Sequence, residues 1–428
     1  VRHLEELSEN IRSRANDLGS RKASKALDDW KQFVESMKQG FAKEGVLPTA
    51  IVAPKLLPQR AEASPALALG LHAWTRAARL RGLRRFASAE GTSGGMKAVT
   101  VSKYGDATQV MEITDVEKPT PAAGQVLVKN VAIATNPIDY KAAAGVLAPG
   151  AEAPDKRLIV GWDSAGVVEK AGEGVTDFQA GDNVWFAGDI TKDGCFAEYT
   201  AIDARLISKK PESMSFEDAA ALPLTFQTAW EGLVEQMNVQ KGKTIFVLNG
   251  AGGLGSIVIQ LAKHLGLTVI ASASREETVS WCKKMGADHI INHRNELKSQ
   301  LAEAGYPTVD YLFNAHENDR LGELIQLLSV DGKIAITFLA TREHLETVDF
   351  QTMWMKRQSL VHTFMFGRAM FDANPEMVGG VMASCAKLVD SGIIKSTATT
   401  KFKSLTEIKE AIKVQMSGKA MGKIVLTV

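Results

Sequence analysis

The stretch from Thr244 to Arg275 limits most sharply what this chain can fold into. It reads Thr-Ile-Phe-Val-Leu, then Asn249-Gly250-Ala251-Gly252-Gly253-Leu254-Gly255, then an amphipathic run to His264, then Leu-Thr-Val-Ile-Ala. The short apolar run Thr244–Leu248 suits a strand buried on both faces of a parallel sheet. Gly250, Gly252 and Gly255 follow in G-x-G-x-x-G spacing. The first permits a sharp turn, the second lets backbone approach a pyrophosphate, and the third lets the helix pack close to the strand. Ile257, Leu261 and Leu265 recur every fourth residue, which predicts a helix over Ser256–Leu265 with its partly positive end toward the phosphates. A glycine pattern alone is common. Flanked by strand, helix and second strand, it predicts a dinucleotide site on Gly250, Gly252, Gly253, Leu254 and Gly255.

The end of the second strand bears on which dinucleotide. A unit that prefers NAD ends this strand on an acid for the ribose hydroxyls, about 20 residues beyond the glycines. Here the strand ends Ala271-Ser272-Ala273-Ser274-Arg275, with no acid before Glu276. A small residue, then the Ser274 hydroxyl and the Arg275 guanidinium, suits a 2′-phosphate and predicts NADPH. The competing reading leaves Arg275 solvated on the first turn of the next helix.

The 428 residues are 45% hydrophobic and 23% charged, with net charge +1, which is ordinary globular composition and room for two domains with an appendage. Near-neutral charge gives no reason to expect a nucleic-acid or membrane surface, and no apolar run approaches the roughly 20 residues of a membrane helix. Cys195, Cys282 and Cys385 are few, odd in number and far apart, which argues for a reducing compartment such as the cytoplasm.

Residues 1–95 differ from the rest. Leu4, Leu7, Ile11 and Leu18, then Leu27, Trp30, Val34 and Met37, have helical spacing, and Pro54, Pro58 and Pro65 mark a linker. Residues 72–88 carry five arginines and no acid, the composition of a mitochondrial transit peptide. Two readings stand open: an extension used for targeting or contact, or upstream sequence joined by gene-model error ahead of a start at Met37 or Met96.

From Met96 the chain first reads as a compact β-rich domain, with strands over Met96–Thr100, Val126–Ile133, Gly166–Val168 and Asp182–Phe186. After Pro223 it turns α/β. Strands are predicted over Thr244–Leu248, Thr268–Ser272, His289–Asn292, Asp310–Asn314, Lys333–Phe338 and Leu360–Phe364, with helices between most of them. Asn136-Pro-Ile-Asp-Tyr-Lys141, Gly161-Trp-Asp-Ser-Ala-Gly-Val-Val168, Gly181-Asp-Asn-Val184, Ala221–Trp230, the glycine turn and Gly422-Lys-Ile-Val together resemble the medium-chain dehydrogenase/reductase superfamily. Within it the chain is most similar to the quinone oxidoreductase branch and to zinc-type alcohol dehydrogenase-like proteins. The resemblance implies an α/β fold: a GroES-like β-rich catalytic domain (96–225 and 366–428) interrupted by a Rossmann doubly wound parallel sheet (226–365), with the active site between them. It also implies a homodimer.

Resemblance places Asn136 where zinc enzymes of this superfamily have a ligand Cys, Gly161-Trp162-Asp163 where they have Gly-His-Glu, and Leu224 near a later ligand Cys. A catalytic zinc takes about three Cys, His or carboxylate ligands, so these residues predict no metal. Without a Lewis acid, hydride addition to a quinone or an α,β-unsaturated carbonyl compound is the chemistry left, because charge developing on a conjugated oxygen can be met by hydrogen bonds. Asn136, Tyr140 and Lys141 are the expected polar catalytic groups, with Lys141 placed by resemblance at the nicotinamide ribose and Tyr140 a proton donor; Asp139 fixes the loop. By resemblance Thr228 lies beside the nicotinamide and His293 matches a position at the adenosine phosphate; Asn314 and Phe338 end strands on the cofactor side and should edge the ribose and carboxamide. Trp162, Phe364, Phe366 and Phe371 either line an apolar pocket or belong to the core. The expectation is an NADPH-dependent oxidoreductase acting on a small molecule. A zinc-dependent alcohol dehydrogenase and a non-catalytic NADPH-binding protein are the alternatives.

Overall fold

The computed structural model describes residues 94–428 apart from Pro149. The readings made of residues 1–93, the arginine-rich segment 72–88 among them, lie outside the described residues.

Six strands form a wholly parallel sheet: β1 (Thr244–Leu248), β2 (Thr268–Ser272), β3 (His289–Ile291), β4 (Val309–Asn314), β5 (Leu328–Ile336) and β6 (Ser359–His362). Their order across the sheet is β3-β2-β1-β4-β5-β6, so the strand order reverses between β1 and β4. That is the dinucleotide-fold order, and the reversal opens a crevice at the carboxyl ends of those two strands. Phe246, Ile270, Leu312 and Ile334 are fully buried at the sheet centre, which explains why these strands read as continuous apolar runs. β5 stops at Ile336, so Phe338 stands in the segment beyond the strand where the sequence extended it.

The helix after the glycine turn, α1 (Gly253–His264), starts three residues earlier than its apolar spacing predicts. Glycine opposes helix formation, which hid its first turn in the sequence. The reason for glycine there is steric: a Cβ on Gly255 would overlap the Asn249 carbonyl oxygen and stand 2.8 Å from Gly250 Cα.

The front of the chain builds a seven-stranded sheet around Gln125–Ala134, which pairs antiparallel with Ser164–Ala171 and Tyr199–Asp203. The last strand, Lys423–Thr427, returns from beyond the parallel sheet and pairs with the same Gln125–Ala134, with Ala398–Phe402 outside it. A small sheet of Gly95–Val101, Met111–Glu117 and Leu158–Ile159 completes the front. One apolar core runs through both layers, from Ala132, Trp185 and Leu222 to Ile245, Val258 and Val425. The helix Pro223–Trp230, opened by a proline that needs no hydrogen-bond acceptor, packs on α1 and joins the halves. Among the described residues no helix is long and apolar enough to cross a membrane.

Candidate active site

The cradle sits at the reversal of strand order, where Leu248 and Asn314 are register partners. Asn249 turns the chain in the left-handed region at φ 58°, a conformation asparagine tolerates better than most residues. Its amide donates to the Ala315 carbonyl at 3.2 Å, and its N–H donates to Ser272 Oγ at 2.8 Å. Gly252 caps α1, so the N–H groups of Gly253, Leu254 and Gly255 open the helix with no acceptor inside it. Such an end, with the helix dipole behind it, attracts an anion.

Ala273 is buried just past the end of β2, where an acid would grip a ribose. Ser274 and Arg275 edge an open cavity of about 530 Å³ shared with Lys283 and Asn292. The Arg275 guanidinium donates to the Glu277 carboxylate and, at 3.1 Å, to the Lys419 carbonyl. His293 Nδ1 is buried without a partner. Burial holds that imidazole below its usual pKa, and Arg294, His316, Arg320 and Arg275 act in the same direction. Arg320 also donates to the His293 carbonyl at 2.9 Å. The sequence pointed to Ser274, Arg275 and His293 but not to Arg294, His316 and Arg320, whose proximity only the fold creates. The guanidiniums of Arg275, Arg294 and Arg320 beside one neutral imidazole favour an anion, with Arg275 already paired to Glu277 and Arg320 to Glu323.

Across the crevice, Asn136 opens the helix Pro137–Ala143, and its N–H donates to Asp139 Oδ2 at 2.6 Å. That helix presents Tyr140 and Lys141. The Lys141 ammonium pairs with Glu317 Oε1 at 2.6 Å and lies 3.8 Å from the centre of the Phe338 ring. Asn314 is buried and donates to Asn318 Oδ1 at 3.0 Å, while Asn318 donates to the Phe338 carbonyl at 2.8 Å. Lys141, Asn314 and Phe338 thus meet around Glu317, which sequence reasoning did not single out. Thr228 turns its hydroxyl onto its own helix, donating to the Leu224 carbonyl at 2.8 Å. Burial raises the Tyr140 phenol above its usual pKa, and Glu317 and Asp139 add to the shift, so it keeps its proton at neutral pH.

The floor of the crevice holds a cluster the sequence did not reveal. Lys423, only 4% exposed at its side chain, donates to the Thr135 carbonyl at 2.7 Å, Asn136 Oδ1 at 2.6 Å and Asp163 Oδ2 at 2.9 Å. Asn136 Nδ2 donates to Asp163 Oδ2 at 2.8 Å, and the Leu224 N–H donates to Asp163 Oδ1 at 2.8 Å. Burial raises the Asp163 carboxyl; the Lys423 ammonium, Asn136 and Leu224 oppose it. Asp139, fully buried with Oδ1 unpartnered, is pushed up to about 8, chiefly by desolvation. Both ends of the Asn136 amide are engaged inside this cluster, which makes it scaffold and not a ready substrate contact.

These residues do not fit a catalytic zinc. Of the positions that resemblance set against metal ligands, Asn136 and Asp163 converge on the Lys423 ammonium, Leu224 is tied in through its N–H to Asp163, and Trp162 offers no donor to a metal. Trp162 is buried and donates its indole N–H to the Asp189 carbonyl at 3.3 Å. Cys195 is the nearest thiol, bonded to the Asp163 backbone, and burial pushes its pKa well up, against the thiolate a metal needs. All three cysteines are free and buried.

The four aromatic candidates divide. Trp162 and Phe366 are buried edge to face at 6.2 Å, whereas Phe364 and Phe371 are 42% and 57% exposed. Phe364 meets Phe366 at 5.7 Å, and its N–H donates at 3.1 Å to Glu231, whose carboxyl burial raises to about 7.

Two family models match the chain: the alcohol dehydrogenase GroES-like domain over residues 122–212 and the zinc-binding dehydrogenase model over residues 253–379. A zinc-type alcohol dehydrogenase-like protein of Staphylococcus aureus is 33% identical over 330 residues, covering 74% of this chain and 95% of that protein. The chloroplastic NADPH-dependent alkenal/one oxidoreductase of Arabidopsis thaliana is 39% identical over 212 residues, 47% of this chain and 53% of the plant protein. The solved structure of the quinone oxidoreductase from Coxiella burnetii superposes with a TM-score of 0.66 at 26% identity, covering 78% of this chain and all of that one.

Proposed function

The chain belongs to the medium-chain dehydrogenase/reductase superfamily, among its zinc-type alcohol dehydrogenase-like members, and from that premise we propose that it carries hydride from NADPH to quinones or α,β-unsaturated carbonyl compounds with no catalytic metal. One observation carries this reading. A glycine turn opens α1 at the reversal of strand order, while Asn136 and Asp163, set by resemblance against metal-ligand positions, are both engaged by the Lys423 ammonium.

NADPH, held by the glycine turn with Ser274, Arg275 and His293, would supply hydride for the β-carbon of the acceptor, or for a quinone oxygen or ring carbon. The electron pair released at the conjugated carbonyl becomes an enolate or phenolate oxygen. That oxygen takes a proton from Tyr140 or from solvent. Lys141 supplies positive potential beside the nicotinamide ribose once it leaves Glu317. Thr228, Asn314 and Phe338 bound the ring, and the exposed Phe364 offers an apolar face. The 2′-phosphate falls to Ser274, Arg275 and His293, supported by the alkenal/one oxidoreductase relative, whose name specifies NADPH. Asn136 acts by holding the helix that carries Tyr140 and Lys141.

We also assign a homodimer formed through β6, placed in the cytoplasm. β6 is the outermost strand of its sheet, and Val330, Phe350, Trp354 and Met355 stand exposed near it. The three buried free thiols fit a reducing compartment.

The deciding experiment follows NADPH consumption against quinones, enals, enones and simple aldehydes, with zinc measured on the same protein. Turnover of conjugated acceptors without stoichiometric zinc is expected. Aldehyde reduction that tracks bound zinc would establish the alcohol dehydrogenase instead. Tight NADPH binding with no turnover would establish the non-catalytic protein.

A further inference from the structure

Lys423 makes contacts that reach far beyond its ion pair. We propose that it is a positioning residue: its buried ammonium locks the dinucleotide turn to the two helices that carry Lys141 and Thr228. The inference rests on the reading that the glycine turn holds NADPH.

The lock begins in the backbone. Gly422, at φ 58°, bridges to Gly252 in the turn, and its N–H donates to the Ala251 carbonyl at 2.8 Å. The Lys423 stem then runs along the start of α1: a Cβ on Gly253 would stand 2.7 Å from Lys423 Cδ. A side chain at 253 would have to displace that stem. At the far end the ammonium reaches the Thr135 carbonyl and Asn136 Oδ1, and Asn136 starts the helix with Tyr140 and Lys141. Its third acceptor, Asp163, holds the Leu224 N–H through its other oxygen. Leu224 in turn accepts the Thr228 hydroxyl. One side chain therefore fixes the distance from the phosphate-binding end of α1 to both walls of the crevice.

Stability alone does not explain a buried pair of this kind. Replacing both partners by uncharged groups of similar volume is often neutral or stabilising, whereas removing one leaves a costly orphan. What such a pair supplies here is a single register between elements made hundreds of residues apart. A displacement of about 1 Å at the reacting atoms can cost about 100-fold in rate.

The test compares the full chain with K423M and with the double variant K423M/D163N. K423M leaves Asp163 uncompensated and lowers the thermal midpoint, and the double variant recovers most of it. NADPH binding is followed by the change in nicotinamide fluorescence, and turnover with protiated and 4-deuterated NADPH. The expected result for the double variant is a Kd for NADPH raised about tenfold and kcat lowered about 100-fold. The acceptor KM should stay near its original value, and the isotope effect on kcat should rise because hydride transfer has become limiting. A double variant with restored midpoint, wild-type Kd and an unchanged isotope effect overturns the proposal and leaves Lys423 a structural ion pair. The binding arm needs no turnover, so it stands even if the acceptor class is wrong. Failure of the wild-type protein to bind NADPH defeats the functional reading itself.

Discussion

Gly255→Ala isolates the contact on which the dinucleotide cradle depends. The added methyl would stand 2.8 Å from Gly250 Cα, about 0.6 Å inside the 3.4 Å at which ordinary contact begins, and would overlap the Asn249 carbonyl oxygen. Both obstacles are backbone, so no rotamer relieves them, and α1 must back away from β1 and its turn. Overpacking of this kind costs about 1–3 kcal/mol. Moving α1 also moves the N–H groups of Gly253, Leu254 and Gly255, so most of the cost should appear in cofactor binding. At about 1.4 kcal/mol per factor of ten, the Kd for NADPH should rise about 5- to 150-fold. Fluorescence titration with NADPH measures it, and thermal unfolding of the free protein separates the folding share. Gly380→Ala is the control: Gly380 lies in the helix Glu376–Asp390 with nothing within 4 Å of a Cβ, so this change should leave Kd alone and stabilise slightly. A Gly255→Ala protein that binds NADPH as tightly as wild type would refute the role assigned to the third glycine.

Ala273→Asp puts a carboxylate just past the end of β2, where a buried methyl now stands; repulsion of the 2′-phosphate should lower the kcat/KM preference for NADPH over NADH by about 100-fold, on the scale of a charged pair a few ångströms apart at an effective dielectric near 20. An unchanged ratio would sink the 2′-phosphate assignment. His293 is held neutral by burial and its cationic neighbours, and a bound phosphate reverses that bias, so binding takes up a proton. NADPH affinity should therefore strengthen as pH falls from 8 to 6, more steeply than in His293→Gln; equal slopes by titration calorimetry would exclude the imidazole. Asp139 is raised to about 8 in the fold from about 4 in an unfolded chain, so the native state binds the extra proton between those values and stability falls as pH rises through them. Asp139→Asn removes that slope, and its thermal midpoint should gain on wild type between pH 5 and pH 8; parallel midpoints would show Asp139 ionised throughout.

The parts of this molecule legible in its sequence are those whose physics is local. Strands β1 and β2 are short apolar runs with a turn between them, and each was placed to the residue. Ala273 bears on the choice of cofactor by what it is not. α1 began early because its first turn is built from glycines kept for close approach, and local propensity points the other way. The crevice floor was not legible at all: Lys423 lies 287 residues from Asn136 and 260 from Asp163. The one signal was a lysine opening the otherwise apolar strand Lys423–Thr427, where a charge has to find a buried partner. Glu317 and Arg320 were hidden in the same way, since their value comes from what the parallel sheet carries up to the crevice.

The strand Lys423–Thr427 sits inside the front sheet, between Gln125–Ala134 and Ala398–Phe402. During synthesis its partner Gln125–Ala134 emerges from the ribosome about 290 residues sooner, and domains tend to fold in the order they are made. The front layer must wait with that edge bare while the whole parallel sheet is translated. Only when Lys423–Thr427 is made does the missing strand enter and, with it, the lysine at the crevice floor.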